Sequence, residues 1–230
     1  IESEEITNIV KNPTKEGYDF MGWYDNAELT GEPVAKVPAN DVKLYVKWEL
    51  TKYEVTFENS ELATQKYVYG TELPTDSKEG YTFGGWYPTA ELTGEPVTRV
   101  GNADMTVYAK WTINKYKVTY VNAEGLTEAT LDYGTTLPEP TKVGYTFAGW
   151  YSDAEYTGEA VTKVGAADLT VYAKWTINQY EVTYVNADLE KQTLDYGTVL
   201  PEATKVGYTF AGWFNNSDLT GEAVTKVGAA

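Results

Sequence analysis

The chain contains neither cysteine nor histidine. Without cysteine there are no disulfides to staple small domains and no thiolate metal sites. Without histidine the usual general base, the Ser/His and Cys/His nucleophile pairs and the commonest zinc ligand are gone as well. No run of about 18 apolar residues occurs, so no segment reads as a membrane-spanning helix. Positive charge is scarce: 18 Lys and Arg stand against 34 Asp and Glu, a net charge of −16. That balance argues against nucleic acid or an anionic membrane surface as partner and predicts a chain that repels its own copies. No cofactor is expected. The chain starts at Ile1 without a basic and apolar leader and stops within a repeat. Both features predict a piece of a longer protein, so missing targeting signals carry no information on location.

What the chain does have is aromatic side chains in a fixed arrangement: 7 Trp, 20 Tyr and 6 Phe. Gly17-Tyr18-Asp19-Phe20-Met21-Gly22-Trp23-Tyr24 returns at Gly80–Tyr87, at Gly144–Tyr151 and, with a final Phe, at Gly207–Phe214. The leading glycines lie 63, 64 and 63 residues apart, which identifies a small module used in series. A module of about 63 residues is near the lower limit for independent folding, and large rings are the means of burying enough area. The aromatic richness therefore reads first as structural.

The pattern divides the chain into a partial repeat over 1–50, full repeats over 51–113 and 114–177, and a partial repeat over 178–230. The first holds the later part of a module. The last stops at Ala229-Ala230, the counterpart of Ala166-Ala167, and so lacks the equivalent of Asp168 to Trp175. Within a module Tyr116, Val118 and Tyr120 alternate with Lys117 and Thr119, the period of a strand with one buried face. A polar loop leads to a second strand, Ala129 to Tyr133, and Leu137-Pro138-Glu139-Pro140 then crosses over extended. The Gly-Tyr-Thr-Phe-Ala-Gly-Trp-Tyr block reads as a third strand whose internal glycine marks a bulge or a close backbone approach. Ser152-Asp153-Ala154-Glu155 has the form of a capping box and predicts one helical turn, with Pro88 and Asn215 replacing the cap in other copies. Leu169 to Trp175 is the closing strand. The linkers Leu50-Thr51, Thr112-Ile113-Asn114 and Thr176-Ile177-Asn178 contain no Gly, Ser or Pro, which predicts a semi-rigid, elongated array.

The Lys-x-Gly-Tyr-x-Phe-x-Gly-Trp-Tyr block, the Thr-Gly turn and the closing Leu/Val-Tyr-Ala-Lys-Trp strand together resemble the Listeria–Bacteroides repeat, also called the internalin B-type B repeat. The resemblance covers essentially the whole chain. It implies an α+β, predominantly β fold of tandem small β-grasp-like modules, on exported proteins of the bacterial cell surface or extracellular space. It also implies a position between an adhesive head and a wall anchor, and no catalytic residues. Neither a leucine-rich head nor an LPxTG sorting motif is present in these residues.

Two readings compete for Trp23, Trp86, Trp150 and Trp213: stacking on a sugar, or service in the module's core. The core reading has the stronger claim in modules with few other large apolar groups. Trp48, Trp111 and Trp175 end the closing strand, where packing against the next module's first strand is favoured over ligand binding. Calcium is disfavoured, because the acids are dispersed and Glu32, Glu95, Glu159 and Glu222 supply one carboxylate per turn where a site needs several oxygens. Paired catalytic carboxylates would need unlike environments, which near-identical modules do not provide. An isopeptide crosslink through Lys47, Lys110 or Lys174 is weaker than the reading as exposed strand lysines that blunt an edge.

The function expected is a stalk or spacer that projects an adhesive or other head domain, with neighbouring repeats as the partners of each repeat. The alternative is a multivalent adhesin whose copies bind a host surface protein or glycan directly. A third reading has the incomplete last copy completed by strand addition, making a filament.

Overall fold

The computed structural model describes residues 4–228; the Ala229-Ala230 pair that marks the sequence break lies outside them. The chain divides into two compact units, Ile1–Thr112 and Ile113–Ala230. Both are predominantly β, built of several small sheets, with one short helix among the described residues.

In the first unit a helical turn, α1 (Ile6–Ile9), precedes the antiparallel pair β1 (Tyr18–Tyr24) and β2 (Tyr45–Leu50). A four-stranded sheet follows, made of β3 (Lys52–Glu58), β4 (Gln65–Val68), β5 (Tyr81–Tyr87) and β6 (Met105–Ile113), in the spatial order β4-β3-β6-β5. The second unit repeats that sheet with β7 (Lys115–Val121), β8 (Glu128–Asp132), β9 (Tyr145–Tyr151) and β10 (Leu169–Ile177), in the order β8-β7-β10-β9. It ends in an antiparallel hairpin, β11 (Gln179–Val182) with β12 (Gln192–Asp195).

The alternation read from the sequence sets the buried faces. Val118 and Tyr120 of β7 point into the same core as Val171 and Ala173 of β10, and Leu137, Trp150 and Val164 close it. The second repeat fills the same positions with Val55, Phe57, Val107, Ala109, Leu73, Trp86 and Val100. The opening strand pairs antiparallel with the second strand and parallel with the closing strand, as in Val118 opposite Ala129 and opposite Leu169. Opening and closing strands are therefore central neighbours.

Of the two readings of the strand glycine, the bulge is present. Between β9 and β10 the register moves from Gly149 opposite Lys174 to Phe147 opposite Trp175, leaving Ala148 as the extra residue. Gly149 makes this with φ 122°, a backbone that side-chain-bearing residues rarely adopt.

Two local expectations change. The capping-box segment is a turn, not a helix, and its bracket is Asp153 in place of Ser152: the carboxylate accepts from Glu155 N, Thr157 N and the Thr157 hydroxyl. Asn26 and Asn216 brace the same turn by accepting from Thr30 N and Thr220 N. The turn holds Tyr156 at φ 58°, and Leu29, Leu92 and Leu219 likewise at positive φ, a local cost of roughly 1–3 kcal/mol. In the first repeat Ile6 stands where Leu73 stands in the second: its N–H donates to Ala35 O, as Leu73 N donates to Thr98 O. The helical turn that follows replaces the extended proline crossing.

Candidate functional site

The tryptophans of the repeated block are organised by one carbonyl. Trp86, Trp150 and Trp213 each donate from Nε1 to the main-chain oxygen of Pro74, Pro138 and Pro201, every time at 2.7 Å. The rigid Leu-Pro or Val-Leu-Pro crossing thus orients the indole across the core, where a buried ring N–H has to find an acceptor. Trp86 and Trp150 are 3% and 2% exposed, beyond the reach of a stacking sugar. Trp213 and Trp23 are half-buried. The Trp23 Nε1 is buried without a partner among the described residues, because α1 stands where the crossing would supply its carbonyl.

The closing-strand tryptophans are fixed by an asparagine. Asn59 and Asn122 adopt left-handed backbone, φ 57° and 59°, which asparagine tolerates better than most residues. Their side-chain amides donate to Ala109 O and Ala173 O, and their own carbonyls accept from Trp111 Nε1 and Trp175 Nε1 at 2.9 Å. Trp111 and Trp175 pack edge-on or tilted against Phe83 and Phe147, with Lys78 and Lys142 above them at 6.0 and 5.9 Å. Trp48 meets Tyr18, Phe20 and Lys15. These partners all belong to the tryptophan's own repeat, not to the first strand of the next one.

Different residues meet the following repeat. Within the first unit the Tyr69 ring lies over Gly17 so closely that a Cβ at Gly17 would fall inside it, and Gly17 has φ 74°. Thr51 N donates to Gly17 O, and Tyr69 N to Thr51 O. Within the second unit the same contact recurs: Tyr196 covers Gly144, Asn178 N donates to Gly144 O, and Tyr196 N to Asn178 O. There Thr146 also donates to Asn178 Oδ1 at 2.6 Å. The linker residue is thereby clamped between a glycine of the repeat before and a tyrosine of the repeat after. Glu16 beside Tyr69 raises its phenol pKa above the ordinary value through repulsion of the phenolate.

Lys47, Lys110 and Lys174 lie over Tyr24, Tyr87 and Tyr151, each at 5.1 Å. This is a cation–π contact worth about 0.5–1 kcal/mol at an exposed site, and it accounts for the recurring Lys without a crosslink. Glu32, Glu95, Glu159 and Glu222 are all exposed. Among the described residues no three acidic side chains gather closely enough to hold a metal ion, and no helix is long and apolar enough to cross a membrane. The asparagine and Tyr-Gly positions fall outside the strand and ring patterns, yet both recur at fixed offsets that mark them in the sequence: Asn59, Asn122 and Asn186, then Tyr69-Gly70, Tyr133-Gly134 and Tyr196-Gly197.

The Listeria-Bacteroides repeat domain model matches the chain four times, over residues 1–47, 53–110, 116–174 and 180–228. Two proteins of Evansella cellulosilytica are similar over nearly the whole chain, and their names assign them, provisionally, to a membrane. One is 34% identical over 249 residues, covering 95% of this chain and 38% of that protein. The other, named as Gly-rich, is 35% identical over 246 residues, with 96% and 28% covered. Internalin H of Listeria monocytogenes is 38% identical over 141 residues, covering 55% of this chain and 25% of that protein. The chain thus spans well under half the length of each relative. No solved structure matches it.

Proposed function

Because this chain belongs to the Listeria-Bacteroides repeat domain family, we propose that it is a stalk or spacer of an exported bacterial cell-surface protein, projecting an adhesive or other head domain. Its units are β-grasp-like modules, bounded near residues 50, 113 and 177, strung in an elongated array. The observation that carries this reading is where the recurring residues are spent. Trp86 and Trp150 are turned into the cores of their own repeats, and Gly17–Tyr69 and Gly144–Tyr196 clamp one repeat to the next. Chemistry invested in internal order and in neighbour contact suits a spacer, whose work is to hold distance. No catalytic role is assigned.

Small-angle scattering tests this directly. A compact globule of this length has a radius of gyration near ~17 Å, whereas four modules in line approach roughly 30 Å. A value at the compact limit removes the stalk.

A second reading draws on the surface beside Trp175. A shallow depression there is lined by Lys142, Tyr145, Phe147 and Trp175, side chains that suit stacking and cation–π contact with a host glycan or surface protein. Binding of the whole chain and of residues 115–175 to host cells and a glycan panel separates the two. Saturable binding that tightens steeply with copy number and is lost in Trp175→Ala favours the multivalent adhesin.

A further inference from the structure

Two tyrosines face each other across the joint between the third and fourth repeats. The Tyr145 and Tyr196 ring centroids stand 6.2 Å apart, with the rings at 68°. We propose that this pair is an oxidative crosslinking site, at which hydrogen peroxide and a one-electron oxidant of the haem-peroxidase class join the two rings through a carbon–carbon bond.

One residue holds both partners in place. Asn178 N donates to Gly144 O at 2.9 Å, and Thr146 Oγ1 donates to Asn178 Oδ1 at 2.6 Å, which ties down the residues on either side of Tyr145. Tyr196 N donates to Asn178 O at 2.8 Å. Gly144 lacks the Cβ that would fall inside the Tyr196 ring, and so leaves that ring room beside Tyr145. Groups already held side by side react far faster than groups that must meet by diffusion. Both rings are half-buried, so each still presents part of its surface to an oxidant. Tyr69 and Tyr133, the counterparts of Tyr196 in repeats that have their closing strand, are half-buried too.

The reaction balances within the pair. Each phenol gives up one electron and its hydroxyl proton, and becomes a phenoxyl radical whose spin is shared with the ring carbons ortho to oxygen. One ortho carbon of each ring joins the other. The two hydrogens on the joined carbons move to the oxygens, which restores both phenols. Two electrons and two protons have left in all, and they reduce one hydrogen peroxide to two waters.

The rest of the chain favours this outcome over its competitors. With no cysteine, no thiol is present to quench a phenoxyl radical, and no disulfide can make the tie instead. A net charge of −16 keeps separate copies apart, which disfavours coupling between molecules. The joint between the first and second repeats is an internal comparison. There Tyr18 packs on Trp48 at 6.5 Å with Lys15 Nζ 3.7 Å over its ring, and Tyr69 has Glu16 beside it. No tyrosine pair faces across that joint among the described residues. The crosslink is independent of the stalk role, because it is read on the chain by itself.

The test treats the whole chain, folded and dilute, with hydrogen peroxide and a haem peroxidase. Expected are a monomer lighter by two hydrogens, the blue fluorescence of coupled phenols and a digest fragment joining residues 145 and 196. The thermal midpoint should rise, as it does when a covalent tie constrains the unfolded chain. Tyr145→Phe and Tyr196→Phe each keep a ring at the joint, remove the phenol and abolish that fragment. Chain unfolded in urea should yield it about tenfold less, since the advantage is one of proximity. Equal yields from folded and unfolded chain overturn the proposal. So do a main product that joins separate molecules, and a link between Tyr18 and Tyr69 that forms as readily.

Discussion

The first and fourth repeats are both short of strands among the described residues, and they are short of opposite ones. The first has a closing strand, β2, paired with its ring-bearing strand, β1, but no opening hairpin beside them. The fourth has the hairpin and the ring-bearing segment, but no closing strand. In the first the bulged ladder survives while the indole N–H of Trp23 is left without an acceptor among the described residues. In the fourth the ladder is absent, yet Trp213 keeps its bond to Pro201 O at 2.7 Å. The comparison separates two jobs. The proline crossing and the neighbouring rings orient the tryptophan, and the closing strand seals the core around it.

The largest effect that sharpens this contrast is Trp150→Ala in the complete third repeat. It should cost about 3–5 kcal/mol, as removal of a buried large ring does, read as lost denaturant stability of residues 115–175. Trp213→Ala should cost clearly less, because that ring is only half-buried. Equal losses would break the division of labour.

A smaller and more selective effect comes from Trp→Phe, which removes the indole N–H along with part of the ring. At position 150 it strands the Pro138 carbonyl and should add about 1–3 kcal/mol to the cost of the lost ring volume. At position 23 there is no bond to lose among the described residues, and removing an unpaired buried donor offsets part of the volume cost. A matched pair of Trp150→Phe and Trp23→Phe variants, compared by equilibrium unfolding, measures the difference.

The smallest effect is one of pH. Hydrogen bonds from the Thr157 hydroxyl first, and then from the Thr157 and Glu155 main chain, hold the Asp153 pKa below its ordinary value. A depressed carboxylate stabilises the turn fully above its unfolded pKa and ceases to do so as pH falls through the folded one. The fourth repeat braces the same turn with Asn216, which does not titrate. Acidification should therefore release the Thr157 amide to exchange and leave the Thr220 amide unaffected. Parallel behaviour of the two amides would show that the carboxylate is not the brace.

Much of this was legible in the chain itself. The period-two strands, the special backbone at Gly149 and the burial of Trp86 and Trp150 follow from local patterns, because each depends on neighbours a few residues away. The parallel pairing of β7 with β10 does not, since its partners lie some 50 residues apart and leave no periodic trace. The turn after Tyr151 misled for a related reason. Ser152 and Asp153 are both good caps, and only the positive φ of Tyr156, which breaks the helical path, decides between them. Trp48, Trp111 and Trp175 sit at the right place in sequence to touch a neighbour. Their indoles instead turn back onto their own repeat, and Tyr69 and Tyr196 do the touching.

The central placement of the opening and closing strands has a mechanical consequence. In the third repeat the chain enters at the start of β7 and leaves at the end of β10, and these two strands run side by side in the same direction. A pull on the two ends drags them lengthwise past each other, so the hydrogen bonds between them are loaded together in shear and not peeled one at a time. Forced rupture is governed by the unfolding rate, and a barrier that requires many bonds to fail at once keeps that rate low. A tether assembled from such units would resist stretching far better than its small cores suggest.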